Sequence, residues 1–404
     1  MLKTRFALSL SVLSLGFVLA ACSAETQDGG AGPGGAGQGA LGGGAGKGDS
    51  PHQSAGAPGS GGMAGQAGAG GEAADGAAGQ AGGGGAAGTG GSTDGGSDAG
   101  PTPACSELDP RSVPAELAVL PDAGEAPFVS VLEKAQSSID VMVYQMGYGG
   151  VLDTLTAKAK AGVKVRVILD VSQKSVNQKY MDVLVGAGAD VIWSDPDFTY
   201  MHAKLIVVDG QTAVISTGNY LKSFMLKERN FVVTDRDPWD LVNLNALFAA
   251  DFQGQSPNLD CTRLVVSPVN AKQRILALIG GAQKSLTIES MQFADTSVRN
   301  AVAARKAAGV DVRVLLAAPS WIDANQAAAT FLAQKGIPAR WLTKPSVHVK
   351  AIVADGTRAY VGSENLSYTS LNKNREVGLV LTESPAVTSV TGTFETDWAT
   401  ATPF

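Results

Sequence analysis

The chain has 404 residues, of which 17% are charged, and its formal net charge is −6 at pH 7. The first 21 residues contribute two positive charges and residues 22–104 a net −6, so the remaining residues carry −2. A track for nucleic acid needs a basic excess, and this charge balance gives no such signature. The length allows two or three domains of about 150 residues each.

Residues 1–21 have the pattern of an export signal: two basic residues, the apolar run "FALSLSVLSLGFVLA" and small residues. The apolar run is too short to be a good membrane-spanning helix. The end of the signal, "LAAC", resembles the lipobox of bacterial lipoproteins. That resemblance implies cleavage before Cys22, which would carry lipid, and Ser23 after it points to the outer membrane of a Gram-negative bacterium. An ordinary cleaved signal is the alternative.

Residues 22–104 are predicted to form a disordered tether. Residues 22–100 contain 32 of the 51 glycines and no Phe, Trp or Tyr, so they cannot bury enough apolar surface to offset the entropy lost on ordering. A flexible coil of this length reaches on the order of 50 Å. His52 lies within it and is expected to be inert. The folded part therefore contains two histidines, His202 and His348.

Two cysteines remain if Cys22 carries lipid. Cys105 ends the tether and Cys261 lies near the middle of the folded part. In an exported chain the remaining pair is expected to form a disulfide, with two buried free thiols as the alternative.

The folded part is predicted to consist of two copies of one unit, at 105–260 and 261–404. "KAQSSIDVMVY" corresponds to "GAQKSLTIESM", and "AKAGVKVRVILD" corresponds to "KAAGVDVRVLLA", 147 residues later. "MHAKLIVVDG" corresponds to "VHVKAIVADG", 146 residues later. A repeat this long indicates a duplicated domain, because solenoid repeats are about 20–50 residues.

Strand and helix patterns alternate within each copy. The segments with strand patterns are "SIDVMVY", "VKVRVILD" and "DVIW" in the first copy and "SLTIESM", "VDVRVLLA" and "ARWL" in the second. The segments with helical spacing are "VLDTLTAKAKAG", 174–187, 295–308 and 323–335. This alternation predicts an α/β fold in which each half is a mixed, largely parallel sheet flanked by helices.

Each histidine frame is followed by a second β-run that begins at Asp-Gly, which predicts a β-hairpin. A two-residue loop would consist of Gly210 and Gln211 in the first copy and Gly356 and Thr357 in the second. The pairs that this register places opposite each other are His202–Asn219, Lys204–Thr217, His348–Asn365 and Lys350–Ser363. Side chains two apart on a strand share a face, so each copy would present an imidazole, an ammonium, an amide and a hydroxyl together.

These side chains suit phosphoryl transfer if the two patches meet across a pseudo-twofold axis at one shared active site. Lysine neutralises phosphoryl oxygens, and amide and hydroxyl donors complete an anion site. One histidine can attack phosphorus while the other protonates the leaving alkoxide. Asp209 and Asp355 fall next to the turns, so we expect them to hold the loops and not to react.

The motif H-x-K-x-x-x-x-D followed by G-S-x-N resembles the phospholipase D superfamily, over essentially all of residues 113–404. The second copy has every position of the pattern, namely His348, Lys350, Asp355, Gly362, Ser363 and Asn365. The first copy keeps His202, Lys204, Asp209 and Asn219, with Ser216 and Thr217 in place of Gly and Ser.

The resemblance also implies roles for residues downstream of the motifs. Glu376 stands where the family's acidic residue orients a histidine, and the first copy has Asn230 at that place. We expect Glu376 to partner His348 and raise its pKa, which makes His348 the general acid and His202 the nucleophile.

Two other kinds of site are weaker interpretations of the paired histidines. In a zinc site, the lysine beside each histidine would repel the cation, so no metal and no cofactor is expected. A relative that only binds its ligand is disfavoured, because both motif patches keep their reactive residue types.

The resemblance implies a phospholipase D-like phosphodiesterase that hydrolyses phospholipid headgroups through a phosphohistidine. The alternatives are a nuclease of the same superfamily and a cardiolipin synthase-like phosphatidyl transferase. Apolar and aromatic segments beside His202, "DFTYMH" and "NYLKSFMLK", favour lipid, with Lys222 and Lys227 near headgroups. In the alternative, the apolar side chains of these segments pack under helices: Phe198, Tyr200, Phe224 and Met225. We expect a monomer, lipid-anchored to the outer membrane or cell surface, with phospholipid as its partner.

Overall fold

The structure is a computed structural model that describes residues 106–404, which belong to one compact unit. The predictions that concern other residues, and so lie outside the described part, are the signal 1–21, the lipidated Cys22, the tether 22–104 and Cys105. Cys261 is disulfide-bonded. Its pairing with Cys105 stays a prediction. No helix of the described part is long and apolar enough to cross a bilayer.

The first copy alternates strands and helices in the order predicted from its sequence. Its strands are β1 (Glu116–Leu120), β2 (Ser138–Val143), β3 (Lys164–Leu169), β4 (Asp190–Trp193), β5 (Lys204–Val208), β6 (Thr212–Ser216) and β7 (Glu228–Asp235). Its helices are α1 (Ala126–Leu132), α2 (Gly150–Lys160), α3 (Lys174–Gly186), α4 (Lys222–Met225) and α5 (Pro238–Phe252), with a 3₁₀ turn at Val171–Gln173.

The second copy repeats this order. Its strands are β8 (Val265–Ser267), β9 (Ser285–Ser290), β10 (Asp311–Ala317), β11 (Ala339–Leu342), β12 (Ser346–Val347), β13 (Lys350–Ala354), β14 (Arg358–Gly362), β15 (Glu376–Leu381) and β16 (Thr402–Pro403). Its helices are α6 (Ala271–Gly280), α7 (Thr296–Ala307), α8 (Asn325–Gln334), α9 (Tyr368–Asn372) and α10 (Ser384–Thr400).

The described strands form two mixed eight-stranded sheets, which confirms the predicted α/β class. The first has the order β1-β7-β6-β5-β2-β3-β4, and β12 of the second copy pairs with its β7. The second has the order β16-β11-β10-β9-β13-β14-β15-β8. The prediction that each sheet is largely parallel is wrong, because only β2-β3-β4, β9-β10-β11 and the β7–β12 pair are parallel. Tight turns join β5 to β6 and β13 to β14, and strands joined in this way must run antiparallel.

Three apolar clusters hold the layers together. One cluster lies between the first sheet and α1, α2 and α3, and a second lies between the second sheet and α6, α7 and α8. The third joins the opposite faces of both sheets with α5 and α10. Because the third cluster contains residues of both copies, the two copies share a hydrophobic core in addition to the cluster that each has of its own.

Reciprocal ion pairs join the two copies beside this shared core. Arg229 on β7 contacts Asp397 on α10 through two bonds of 2.6 and 2.8 Å. Arg375, at the equivalent place before β15, contacts Asp251 on α5 at 2.8 and 3.1 Å. All four side chains are buried. Each copy therefore supplies one arginine and one aspartate to the other, as a twofold arrangement requires.

Candidate active site

Both histidine frames form hairpins, but the predicted register is wrong by one residue. In the first hairpin Leu205 pairs with Ile215 and Val208 with Thr212, and in the second Ala351 pairs with Val361. The unpaired loops contain three residues, 209–211 and 355–357. The histidines themselves lie just before β5 and β13, so they are not strand residues.

Asp209 and Asp355 lie at the turns and point away from the histidines. Asp209 accepts hydrogen bonds of 2.7–2.9 Å from the backbone N–H groups of residues 136–138. Asp355 accepts equivalent bonds from residues 283–285. Both aspartates have positive φ, at 52° and 57°. They connect the turn to the start of the neighbouring strand, β2 or β9.

The backbone of each histidine is held by the other copy. His202 N donates to the carbonyl of Arg375 at 2.9 Å, and His348 N donates to the carbonyl of Arg229 at 3.1 Å. These are the two arginines that form the ion pairs between the copies. The contacts therefore bring both histidine frames to the interface between the copies.

The catalytic candidates are almost completely buried there. His202 is 4% exposed and His348 2%, and Lys204 and Lys350 are fully buried. Lys350 Nζ donates to the carbonyls of His348 at 2.8 Å and Thr217 at 3.1 Å, and Lys204 Nζ donates to the carbonyl of His202. Each ammonium thus lies beside the backbone of its own histidine.

Glu376, at the start of β15, contacts His202 and not His348, so the predicted partner is wrong. Its Oε2 atom is 2.8 Å from His202 Nδ1. Its other oxygen accepts from the Ser370 hydroxyl at 2.5 Å and from Asn374 Nδ2 at 3.0 Å. The chain before β15 is hydrogen-bonded to the segment that precedes β5, which brings Glu376 to the histidine of the other copy.

The imidazole of His348 has an amide as its nearest polar partner. Asn230 Oδ1 is 3.2 Å from His348 Nδ1, and Asn230 was predicted as the structural counterpart of Glu376 beside His202. The carboxylate of Glu228 is 3.5 Å from the same nitrogen. Burial raises the pKa of Glu228 to about 7, although Asn230 and Lys350 oppose this rise. The two histidines therefore have different surroundings.

Burial controls the charge of both imidazoles. It lowers the pKa of His202 to about 4, because the stabilising Glu376 is outweighed by desolvation together with Lys204 and Lys350. Burial and the same two lysines lower the pKa of His348 well below its ordinary value. Burial would raise the pKa of Glu376, but His202 and Lys204 bring it below the ordinary value. At pH 7 both rings are neutral and Glu376 is ionised.

The hydroxyls predicted to bind phosphate form hydrogen bonds within the protein. Thr217 Oγ1 donates to Asn230 at 2.8 Å and accepts from Phe231 N, and Ser363 Oγ accepts from Val377 N at 3.1 Å. These bonds fix neighbouring strands, and phosphate binding by the two hydroxyls stays a prediction.

The predicted amides remain available. The Oδ1 atoms of Asn219 and Asn365 are buried and have no hydrogen-bond partner within residues 106–404. A side-chain amide can turn to present either its oxygen or its NH₂ group. Each of the two amides therefore keeps the capacity for a further hydrogen bond, and their role in phosphate binding stays a prediction.

Aromatic rings that were not predicted from the sequence complete the site. The ring of Tyr144 lies 4.9 Å from that of His202, and Trp321 stacks on His348 at 6.1 Å. Nothing in the motifs pointed to either ring. Glu228 and Asn374 were also missed, although a comparison of "ERN" with "NRE" could have identified them.

The described residues contain no group of three or more His, Cys, Asp or Glu side chains arranged to hold a metal ion. The cationic charge of the site comes from Lys204 and Lys350, each of which lies close to a histidine of its own copy.

Comparison with known proteins agrees with the duplicated site. The family described as "Cardiolipin synthase, PLD-like domain" matches residues 128–254 and again 275–398. Cardiolipin synthase 1 of Bacillus cereus is 25% identical over 301 residues, or 62% of this chain and 59% of that protein. A probable cardiolipin synthase of Bacillus subtilis is 25% identical over 323 residues, or 68% of this chain and 64% of that protein. The chain thus spans less than two thirds of either relative.

A solved structure shares the fold. Phosphatidylserine synthase of Haemophilus influenzae superposes with a TM-score of 0.56 at 13% identity, covering 71% of this chain and 87% of that chain. At this identity the similarity concerns the arrangement of the chain alone.

Proposed function

Because this chain belongs to the phospholipase D superfamily, we propose that it transfers phosphatidyl groups between alcohols, as cardiolipin synthases do. One observation carries the proposal: the two copies bury their histidine–lysine pairs at one interface, where Glu376 bonds to His202. The cardiolipin synthases among its relatives support transfer over hydrolysis as the main reaction.

In the first step His202 acts as the nucleophile. Its Nδ1–H donates to Glu376, which leaves the lone pair of Nε2 for attack on phosphorus. Lys204 and Lys350 neutralise the phosphoryl oxygens as charge develops. His348 Nε2 gives its proton to the leaving oxygen, the phosphorus–oxygen bond breaks, and the phosphatidyl group remains on His202.

In the second step the acceptor alcohol replaces the leaving group. His348, now neutral, removes the acceptor's proton, and the acceptor oxygen attacks phosphorus. The phosphorus–nitrogen bond breaks, and His202 returns to its neutral state. The binding of the anionic phosphodiester between the lysines offsets their repulsion, so His348 takes up its proton more readily in the complex.

Burial of the site limits the access of bulk water, which supports transfer to a bound alcohol in this second step. His202 and His348 are at most 4% exposed, and a closed site protects a reactive intermediate from hydrolysis. Hydrolysis to phosphatidic acid, the function expected from the sequence, is the second candidate, since water can attack the same intermediate.

Exposed side chains on the segments that follow β2 and Asn219 support a lipid substrate. Tyr148 is 66% exposed and Leu226 49%, and a backbone bond from Lys222 N to Tyr148 O joins their two segments. Met225, in contrast, is buried, and three other candidates for lipid contact are partly buried: Phe198, Tyr200 and Phe224. Exposed apolar side chains flanked by lysines suit the surface of a phospholipid bilayer.

The test incubates the full-length protein separately with phosphatidylglycerol vesicles, phosphatidylcholine vesicles with added glycerol, and plasmid DNA. We expect cardiolipin and free glycerol from the first, phosphatidylglycerol and choline from the second, and intact plasmid. His202→Ala should abolish both reactions.

The alternative products separate the candidate functions. Phosphatidic acid without any transfer product would show that the protein is a hydrolase and not a transferase. Nicked plasmid would indicate a nuclease. Absence of any phosphodiester cleavage would overturn the proposal as a whole.

A further inference from the structure

Two triplets of the same residue types flank the site in opposite order. Glu228-Arg229-Asn230 begins β7, and Asn374-Arg375-Glu376 leads into β15, 146 residues later. The central arginines are equivalent, because each contacts an aspartate of the other copy. Glutamate and asparagine have therefore exchanged places around a fixed arginine.

This exchange gives the two histidines different connections to a carboxylate. His202 contacts Glu376 directly at 2.8 Å. His348 contacts the amide oxygen of Asn230 at 3.2 Å, and Asn230 Nδ2 lies 3.4 Å from Glu228 Oε2. The carboxylate of Glu228 thus lies 3.5 Å from His348 Nδ1, whereas that of Glu376 lies 2.8 Å from His202 Nδ1.

The groups around His348 oppose a positive charge on its ring, so the carboxylate of Glu228 matters if His348 carries a proton. Burial, followed by Lys350, Lys204 and His202, disfavours the imidazolium, and the ring of Trp321 is stacked with its centroid 6.1 Å away. Glu228 lies 3.5 Å from Nδ1 and is 7% exposed, so its negative charge is poorly screened when it is ionised.

We propose that Glu228, acting with Asn230, is a positioning residue that keeps the proton of His348 on Nδ1 and supports its imidazolium during proton transfer. The inference rests on the proposed function, in which His348 exchanges a proton with the leaving and accepting alcohols. The nucleophile needs a close carboxylate to hold its ring, whereas the proton carrier must release its proton, which a more distant carboxylate permits.

The test exchanges the two residues back. The double variant Glu228→Asn/Asn230→Glu makes the first triplet read like the second and places a carboxylate directly beside His348. A direct carboxylate stabilises the imidazolium, so the pKa of His348 should rise. The full-length chain has three histidines, which keeps imidazole NMR spectra simple enough to titrate each ring. This readout does not require turnover.

Kinetics supply a second readout. Glu228→Gln should slow transfer from an alkyl phosphodiester at least about 10-fold. It should slow release of nitrophenol from a nitrophenyl phosphodiester much less, because that leaving group needs no proton. The high-pH limit of alkyl transfer should move to lower pH in Glu228→Gln and to higher pH in the double variant. Glu395→Gln on the exposed face of α10 is the matched control and should change none of these values.

The outcomes separate this inference from the proposed function. Equal slowing with both esters, with an unmoved pH limit and an unmoved His348 titration, would overturn the positioning role while transfer stands. An active wild type with hydrolysis products alone would overturn transfer and leave the role of Glu228 intact. If Glu228→Gln does not fold, the double variant, which keeps a carboxylate near His348, remains as the test. A pKa of His348 that does not rise in this variant would overturn the positioning role.

Discussion

At the scale of single residues, burial sets the pH range in which His202 can react. Its pKa is lowered to about 4, first by desolvation and then by the neighbouring lysines against the pull of Glu376. The neutral ring is the nucleophile, so phosphohistidine formation should be constant from neutral pH down to about pH 5 and should fall as the pH passes through 4. Rapid-quench measurement of the burst with a nitrophenyl phosphodiester tests this. A burst that declines near pH 6.5 would show that His202 has the ordinary pKa of a histidine and would contradict the prediction.

The role of Glu376 follows from its contact with His202. Glu376→Gln should resemble a mild form of His202→Ala, slowing the burst with both alkyl and nitrophenyl esters by roughly 100-fold. His348→Ala should instead recover partly with the nitrophenyl ester, whose departure needs no proton. The comparison requires the same two esters for all three variants. Acid-quench trapping of the intermediate on His348 would reverse the two histidine roles.

At the scale of elements, the hairpin turns depend on their aspartates. Asp209 accepts from three backbone N–H groups, which lower its pKa from 3.8 to about 2 despite the opposing effect of burial. A carboxyl group with a lowered pKa stabilises the fold above its unfolded pKa and ceases to do so as the pH falls through the folded value. Asp209→Ala should therefore lower the free energy of unfolding by roughly 1–3 kcal/mol at pH 7. Urea titrations should show this difference shrinking toward pH 2, and a difference that is independent of pH would contradict the ionic role.

The hairpins also show which features of the fold could be predicted from the sequence pattern. The strands "SIDVMVY" and "VKVRVILD" and the helix at 174–187 form close to the predicted bounds, because alternation and helical spacing are local properties. The register was missed because Asp209 and Gly210 both adopt positive φ, and pairing resumes beyond a three-residue loop. The pattern of residue types alone does not determine these backbone conformations.

The partner of Glu376 was missed for a different reason. The sequence places Glu376 in the same copy as His348, and a prediction within one copy pairs the two. The contact with His202 arises only when the chain before β15 crosses to the other copy, and no local pattern reports such a crossing. The residue types of the site were therefore predictable, but their connections were not.

At the scale of the whole molecule, the ion pairs between the copies should couple stability to activity. Asp397→Asn removes the closest ionic partner of the buried Arg229 and leaves the longer pair with Asp122 at 3.9 Å, which should cost roughly 3–5 kcal/mol. The carbonyl of Arg229 holds His348 N, so turnover should also fall. Chemical unfolding and transfer rates measure both effects. Glu395→Gln on the same helix removes an exposed pair and should cost less than about 1 kcal/mol. Equal costs for the two variants would contradict the coupling.

We propose in addition that Cys22 anchors the chain to a membrane. Cys22→Ala should release the protein from the membrane fraction and leave transfer in detergent unchanged, because the lipid sets location and not chemistry. Fractionation followed by assay of both fractions tests this. Membrane recovery equal to that of the wild type would refute the anchor.

The reversed triplets have a consequence for how such a site can arise. In a symmetric homodimer both subunits carry one sequence, so a glutamate that suits the nucleophile would also stand beside the proton carrier. Fusion of two copies into one chain removes that constraint, and each can change alone. Here Glu and Asn stand in one order beside His202 and in the other beside His348. In the proposed reaction, the covalent link thus allows two histidines of the same motif to take different roles, one as nucleophile and one as proton carrier.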